Sequence, residues 1–337
     1  MSRSSELLRT IPLSTLCISS LCVLIYAIQL ILELPLQQFT LCPRRVIYLH
    51  EYYRIITSAL FHGNLMHIGL NMMSTSAISS LIEKRRGTLH HLFCTLWAIL
   101  LTSLLYITAA YLGYHLLGHT DLMYQHALGF SGVIFYMSVL ECNLSPNQAR
   151  SLFGFATVPA YLYPWVLLFL LQFIMPNLSF MGHLAGILVG YLELYGFLTF
   201  LHVSDSFLND MDSWRSLQWF TSRPNFVKTP SNVGGANFQL EPGALCQSLL
   251  KGAGLVVKFV RDILETLLVC VFGRGRIANA NVRLFGSSRG WSFFGSGTAS
   301  GGPGSVGVRE YADGIDEDDD WVGLPPMPAP DTVSRLV

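Results

Sequence analysis

Residues 182–190 read Gly-His-Leu-Ala-Gly-Ile-Leu-Val-Gly, a string that a soluble surface helix would not tolerate. Apart from His183 it holds nothing polar, and it sits in an apolar stretch at roughly 180–201. His183, Gly186 and Gly190 fall at i, i+3 and i+7, so one helix face carries an imidazole and two bare backbone patches. Glycines in a membrane helix let a second helix approach closely, which explains them by packing alone. Packing does not explain the histidine, because an ionisable side chain inside a span is costly and marks a site.

Working outward, the rest of the chain has the same character. Its 337 residues are 51% hydrophobic and 12% charged, with a mean hydropathy of +0.45. A soluble domain carries about twice that charge fraction, so a bilayer protein is indicated. The net charge of +0 averages an acidic C-terminal end against a sparsely basic membrane part and gives nucleic-acid binding no support. The seven cysteines form no CxxC pair, so neither a disulfide framework nor a zinc site is indicated.

Ile11–Leu32 is 22 residues without a charge, too long for a signal-peptide core and read as a retained first span. Further apolar stretches follow at roughly 62–82, 92–114, 127–142, 158–175 and 180–201. The sequence thus predicts an all-α membrane protein with six transmembrane helices over residues 1–203. The fourth and fifth stretches are short for a span, which suits a helix sheltered by its neighbours. Arg3 and Arg9, with Lys84, Arg85 and Arg86, fall on one face, which the positive-inside rule assigns to the cytosol together with both termini.

Residues 204–337 are expected to form a cytosolic tail. Gly254–Phe272 is apolar but carries Lys258, Arg261, Asp262 and Glu265 on one stripe. At roughly 2.5–3.5 kcal/mol per central charge, insertion is expensive, so an amphipathic helix at about 247–272 lying on the membrane or on a partner is expected. Residues 273–337, rich in Gly, Ser and Pro with an acidic run at 316–320, are expected to be disordered.

Two more polar clusters lie within the spans. His62, Asn64, His67 and Asn71 open the second, with His67 and Asn71 on one helix face. In isolation they read as an interfacial polar cap. A zinc site is a rival, but no carboxylate accompanies the histidines and HxxxxH does not align both rings, so no metal is expected. Gly129-Phe130-Ser131-Gly132 opens the fourth span. Alone it reads as helix packing; mechanically, it exposes a hydroxyl at a helix N-terminus, where free N–H groups point at an incoming oxyanion. Helices two, four and six all begin on the non-cytosolic side, and Asn71, Ser131 and His183 each lie within about three turns of those starts. Three unrelated structural roles would not share one depth.

Together HxxxxHxxxN (His62, His67, Asn71), GxSG (Gly129, Ser131, Gly132) and HxxGxxxG (His183, Gly186, Gly190) resemble the rhomboid family over about residues 5–203. Tyr53-Arg54 resembles the family's Trp-Arg loop signature, with Tyr in place of Trp. Phe135 stands where many members have a Tyr that stacks on the catalytic histidine. The resemblance implies an intramembrane serine endopeptidase without a cofactor, in which Ser131 is the nucleophile and His183 its base. A lone hydroxyl needs such a base, and no carboxylate nearby completes a triad. It further implies oxyanion donors in the Ser131 N–H, His67 and Asn71, support from Gly129 and Phe135, and single-span membrane proteins as substrates. Helix five is then a lateral gate and the loop at 175–180 a lid. His62 and Asn64 are expected to line a water route. The type resembled is the eukaryotic secretory-pathway one (ER or Golgi), including plant rhomboid-like proteins. Phe293-Phe294-Gly295-Ser296-Gly297 loosely resembles a box that binds the valosin-containing-protein AAA ATPase. The competing reading is a non-catalytic, derlin-type binder of membrane clients; a transporter would need mid-membrane acids, and only Glu193 answers to that.

Overall fold

The computed structural model describes residues 10–144, 148–152, 154, 156–176 and 178–230. The amphipathic helix at 247–272, the tail at 273–337 and the box at 293–297 lie outside the described residues. The described part is a helical bundle: α1 (Leu13–Ile31), the short α2 (Pro43–Tyr48) and α3 (Arg54–Leu60), α4 (Leu65–Arg86), α5 (Thr88–Leu117), α6 (Ser131–Leu144), α7 (Tyr163–Ile174), α8 (Phe180–Leu194), α9 (Asp205–Asp212) and α10 (Gln218–Thr221). A two-stranded antiparallel hairpin, β1 (Ala149–Leu152) and β2 (Ala156–Pro159), joins α6 to α7. By length and composition α1 and α5 can cross a membrane, and α8 joins them if its bent continuation counts as one span.

α6 is the hub. Its 14 residues rise only about 21 Å, and Val133–Leu140 are buried without a break, so the short helix is sheltered by neighbours rather than matched to lipid. Phe130, Val133, Ile134 and Met137 pack with Ala98, Ile99 and Val189 in the main core. α4 is less apolar than α1 and α5 because its inward stripe is polar: Asn71, Thr75 and Ser79 are buried, and the Ser79 hydroxyl reaches Met137 Sδ at 2.8 Å.

Glu83, fully buried near the end of α4, caps α1 from outside. Its carboxylate accepts the N–H groups of Ser14 and Thr15 and the Thr15 hydroxyl, each at 2.8 Å. These are donors that a helix start cannot satisfy itself. Thr88 adds its hydroxyl at 2.7 Å.

The ordered bundle runs past residue 203, where the sequence places the domain boundary. α8 stops at Leu194 because Gly196 adopts φ +77 and its neighbours close a C-terminal motif, Phe197 N–H donating to the Leu192 carbonyl at 3.0 Å. The chain then turns by 87° into Thr199–Asp212 and returns as a strap across the base. Asn225 O accepts Leu13 N–H at 2.9 Å, and Val227 O accepts Thr88 N–H at 2.8 Å. The Asn225 amide donates to Ile11 O at 2.6 Å.

Candidate active site

Ser131 is the first residue of α6 and His183 lies in the first turn of α8, so both helices present their N-terminal ends to one place. His183 Nε2 and Ser131 Oγ are 2.8 Å apart. The two helices come this close because α8 turns the bare backbone of Gly186 and Gly190 toward α6. A Cβ on Gly186 would overlap the Gly132 carbonyl, and one on Gly190 would stand 2.8 Å from Val139 Cβ. Phe135, one turn along α6, lays its ring against His183 with centroids 4.7 Å apart and planes inclined by 31°. Ser179 caps α8 by accepting the Gly182 N–H at 3.1 Å.

α4 supplies the facing wall. Asn64 caps it, accepting the His67 N–H at 2.8 Å. His67 Nδ1 accepts the Gly63 N–H at 3.5 Å, which assigns the ring proton to Nε2; that nitrogen is buried with no hydrogen-bond partner. The Asn71 amide donates to the His67 carbonyl at 2.8 Å, and Asn71 Oδ1 is likewise buried without a partner. Gly129 holds φ +104, and a Cβ there would meet His67 Cε1 and Nε2 at 2.7 Å. Its own N–H donates to Ser58 O at 2.7 Å.

His62 is fully buried. Its ring meets the Leu60 carbonyl through Nδ1 at 3.2 Å and accepts the Phe130 N–H through Nε2 at 3.5 Å. It therefore steadies the backbone immediately before Ser131. Open space beside Ser131 lies on two other sides. One cavity of about 60 Å³ runs behind the Ser131–His183 pair and is edged by the hydroxyl-bearing Ser58, Thr102, Ser103, Tyr106 and Ser179. Another of about 100 Å³ lies between α4 and α7, edged by Leu70, Asn71, Leu167, Leu171, Met175 and Leu178. Both touch Ser131, His67 and His183. The four hydroxyls on α3 and α5 come from ordinary-looking positions; Tyr106 shares a helical spacing with Thr102 and Ser103, but Ser58 lies on another helix and has no local link to them.

Arg54 is almost fully buried and ties the loop before α3 together, binding Glu51 and donating to the carbonyls of Gln37 and Thr40. Tyr53 stays exposed and donates its hydroxyl to Gln38 O at 3.0 Å.

Comparison with known proteins agrees with this architecture. A rhomboid domain model matches residues 49–201. The chain is 36% identical to Rhomboid-like protein 15 of Arabidopsis thaliana over 220 residues, covering 64% of this chain and 55% of that protein. It is 33% identical to Rhomboid-related protein 4 of Rattus norvegicus (44% and 46%) and 26% identical to Rhomboid-type serine protease 2 of Gibberella zeae (52% and 61%). It thus spans about half the length of the relatives it matches. With its apolar helices, its paired glycine faces and this match, the chain is an integral membrane protein that carries a rhomboid domain over residues 49–201.

Proposed function

We propose that the chain is an intramembrane serine endopeptidase in which Ser131 and His183 form a catalytic dyad. The observation that carries the reading is the 2.8 Å contact between His183 Nε2 and Ser131 Oγ, faced across one cavity by the unpartnered Nε2–H of His67. In this scheme His183 takes the Ser131 proton as Oγ attacks the scissile carbonyl. The developing oxyanion is met by His67 Nε2–H, the Ser131 N–H and the Asn71 amide. Collapse of the tetrahedral intermediate expels the amine with the proton from His183, leaving an acyl-Ser131 ester. Water from the hydroxyl-edged cavity then attacks the ester, His183 again serving as base, and Ser131 is regenerated. Phe135 orients the imidazole by ring packing, since the scheme has no carboxylate for that task.

The topology proposed with it has six spans (α1, α4, α5, α6, α7 and α8), with the dyad near the non-cytosolic surface and both termini cytosolic in a secretory-pathway membrane. Single-span proteins unwind locally and reach Ser131 through the opening between α4 and α7, with Met175 and Leu178 as its lid. The test is cleavage of a single-span reporter in reconstituted membranes by wild type, Ser131→Ala and His183→Ala. Cleavage by wild type alone supports the reading, and equal cleavage by both variants refutes the dyad. Client binding with no cleavage of a broad panel by any form would favour a non-catalytic client binder.

A further inference from the structure

Beyond α8 the chain builds a two-sided layer that no catalytic role uses. One side is docked: Leu198 and Leu208 are buried, Leu208 beside His90 and Phe93 of α5. Glu193 and His202 pair at 2.7 Å across the bend. The other side is aromatic and bare, with Phe197 65%, Phe200 78%, Phe207 45%, Trp214 42% and Trp219 68% exposed. Water would not tolerate such a face on an isolated soluble segment. Its position supplies the occupant. The layer follows directly from the end of α8, a span in the topology proposed above on which this inference rests, and the 87° bend then turns the chain from across the bilayer to along its surface. Phe and Trp at such a level match the aromatic belt of membrane interfaces.

The charges agree in sign. Exposed Lys84 and Arg85, at the end of α4, adjoin the strap, where Gly87 meets the Thr229 backbone. With exposed Arg215, Arg223 and Lys228 they outnumber the exposed acids Asp205 and Asp210 of α9, while Asp212 is engaged by the Thr229 N–H at 2.8 Å. Cations just outside a bilayer draw anionic headgroups.

We infer that residues 197–223 form an interfacial foot, its aromatic rings seated among the headgroups of the leaflet at which α8 ends, with the flanking cations favouring anionic lipid. The layer lies on the membrane instead of hanging in the cytosol as a tail. Seating α8 in this way also fixes the depth of His183 one helix length above.

The test reconstitutes the full chain, wild type and Trp214→Phe/Trp219→Phe, in phosphatidylcholine vesicles carrying bromine at the 6,7 or the 11,12 acyl position. The difference between the two proteins reports those two rings while leaving Trp97, Trp165, Trp291 and Trp321 in place. Quenching stronger from the 6,7 position than from 11,12, with poor access to aqueous iodide, supports the foot. A difference signal open to iodide and blind to both brominated lipids overturns it. Quenching strongest from 11,12 also overturns it, in favour of a buried span. Adding phosphatidylserine is expected to raise the 6,7 quenching, and Arg215→Gln/Arg223→Gln/Lys228→Gln to abolish that gain; no response of wild type to phosphatidylserine overturns the role given to the cations. The readout uses no substrate, so a failure of the protease reading would leave it intact.

Discussion

Two glycines set the geometry around Ser131, and they do so for different reasons. Gly129 needs both a left-handed backbone and empty space, since any Cβ would enter the His67 ring. Gly186 needs only the space that the Gly132 carbonyl occupies. Gly129→Ala is therefore expected to displace His67 and suppress reporter cleavage while the helices stay packed. Gly186→Ala should separate α6 from α8 and lower thermal stability as well, so a denaturation curve in detergent alongside the cleavage assay tells the two apart. His67→Ala removes a single donor. Loss of one oxyanion donor costs on the order of 10²–10³ in kcat, so its reporter turnover should fall by that factor with KM little changed. A large KM increase at constant kcat would assign His67 to substrate binding.

At the scale of elements, the parts that sequence made legible are those whose signal is local and chemical. His183 with Gly186 and Gly190, and Ser131 with its flanking glycines, could be read because a histidine or a bare helix face in apolar surroundings needs a cause. The expected end of the last helix at about residue 201 overran Leu194, although Gly196 was a visible C-terminal signal. Ser58, Thr102, Ser103 and Tyr106 were illegible as a group, because only the packing of α3 against α5 brings them to one cavity. The strap was illegible for a deeper reason: the carbonyls of Asn225 and Val227 do the capping, and every residue carries a carbonyl. Glu83 stands beside Lys84, Arg85 and Arg86 with nothing local to mark it, yet it closes the start of α1. Glu83→Gln keeps the shape but loses the charge and one acceptor of the Ser14, Thr15 and Thr88 bonds. Leaving such buried donors unpaired costs about 1–3 kcal/mol each, so a clear fall in Tm is expected, and an unchanged Tm would show that α1 is held by its apolar contacts alone.

At the scale of the whole molecule, the base of the bundle is closed by chain from both ends of the described region. Asn225→Ala removes a side-chain bond to Ile11 and loosens the Asn225–Leu13 backbone bond. Amide exchange at Leu13 and Thr88 should therefore quicken in this variant, while amides in the middle of α6 keep their protection. Uniform acceleration would mean that the strap is part of the global cooperative unit rather than a local closure.

That closure also sets an order of events during synthesis. Ile11 and Asn225 are separated by 214 positions, and chains elongate at about 5–20 residues per second. For roughly 10–40 seconds after it emerges, the start of α1 must therefore wait for its final acceptor. Assembly of this fold finishes at its beginning, and a nascent chain stalled before Asn225 would present a first helix capped by Glu83 alone, its Leu13 N–H still without an acceptor, to whatever quality-control machinery inspects the membrane.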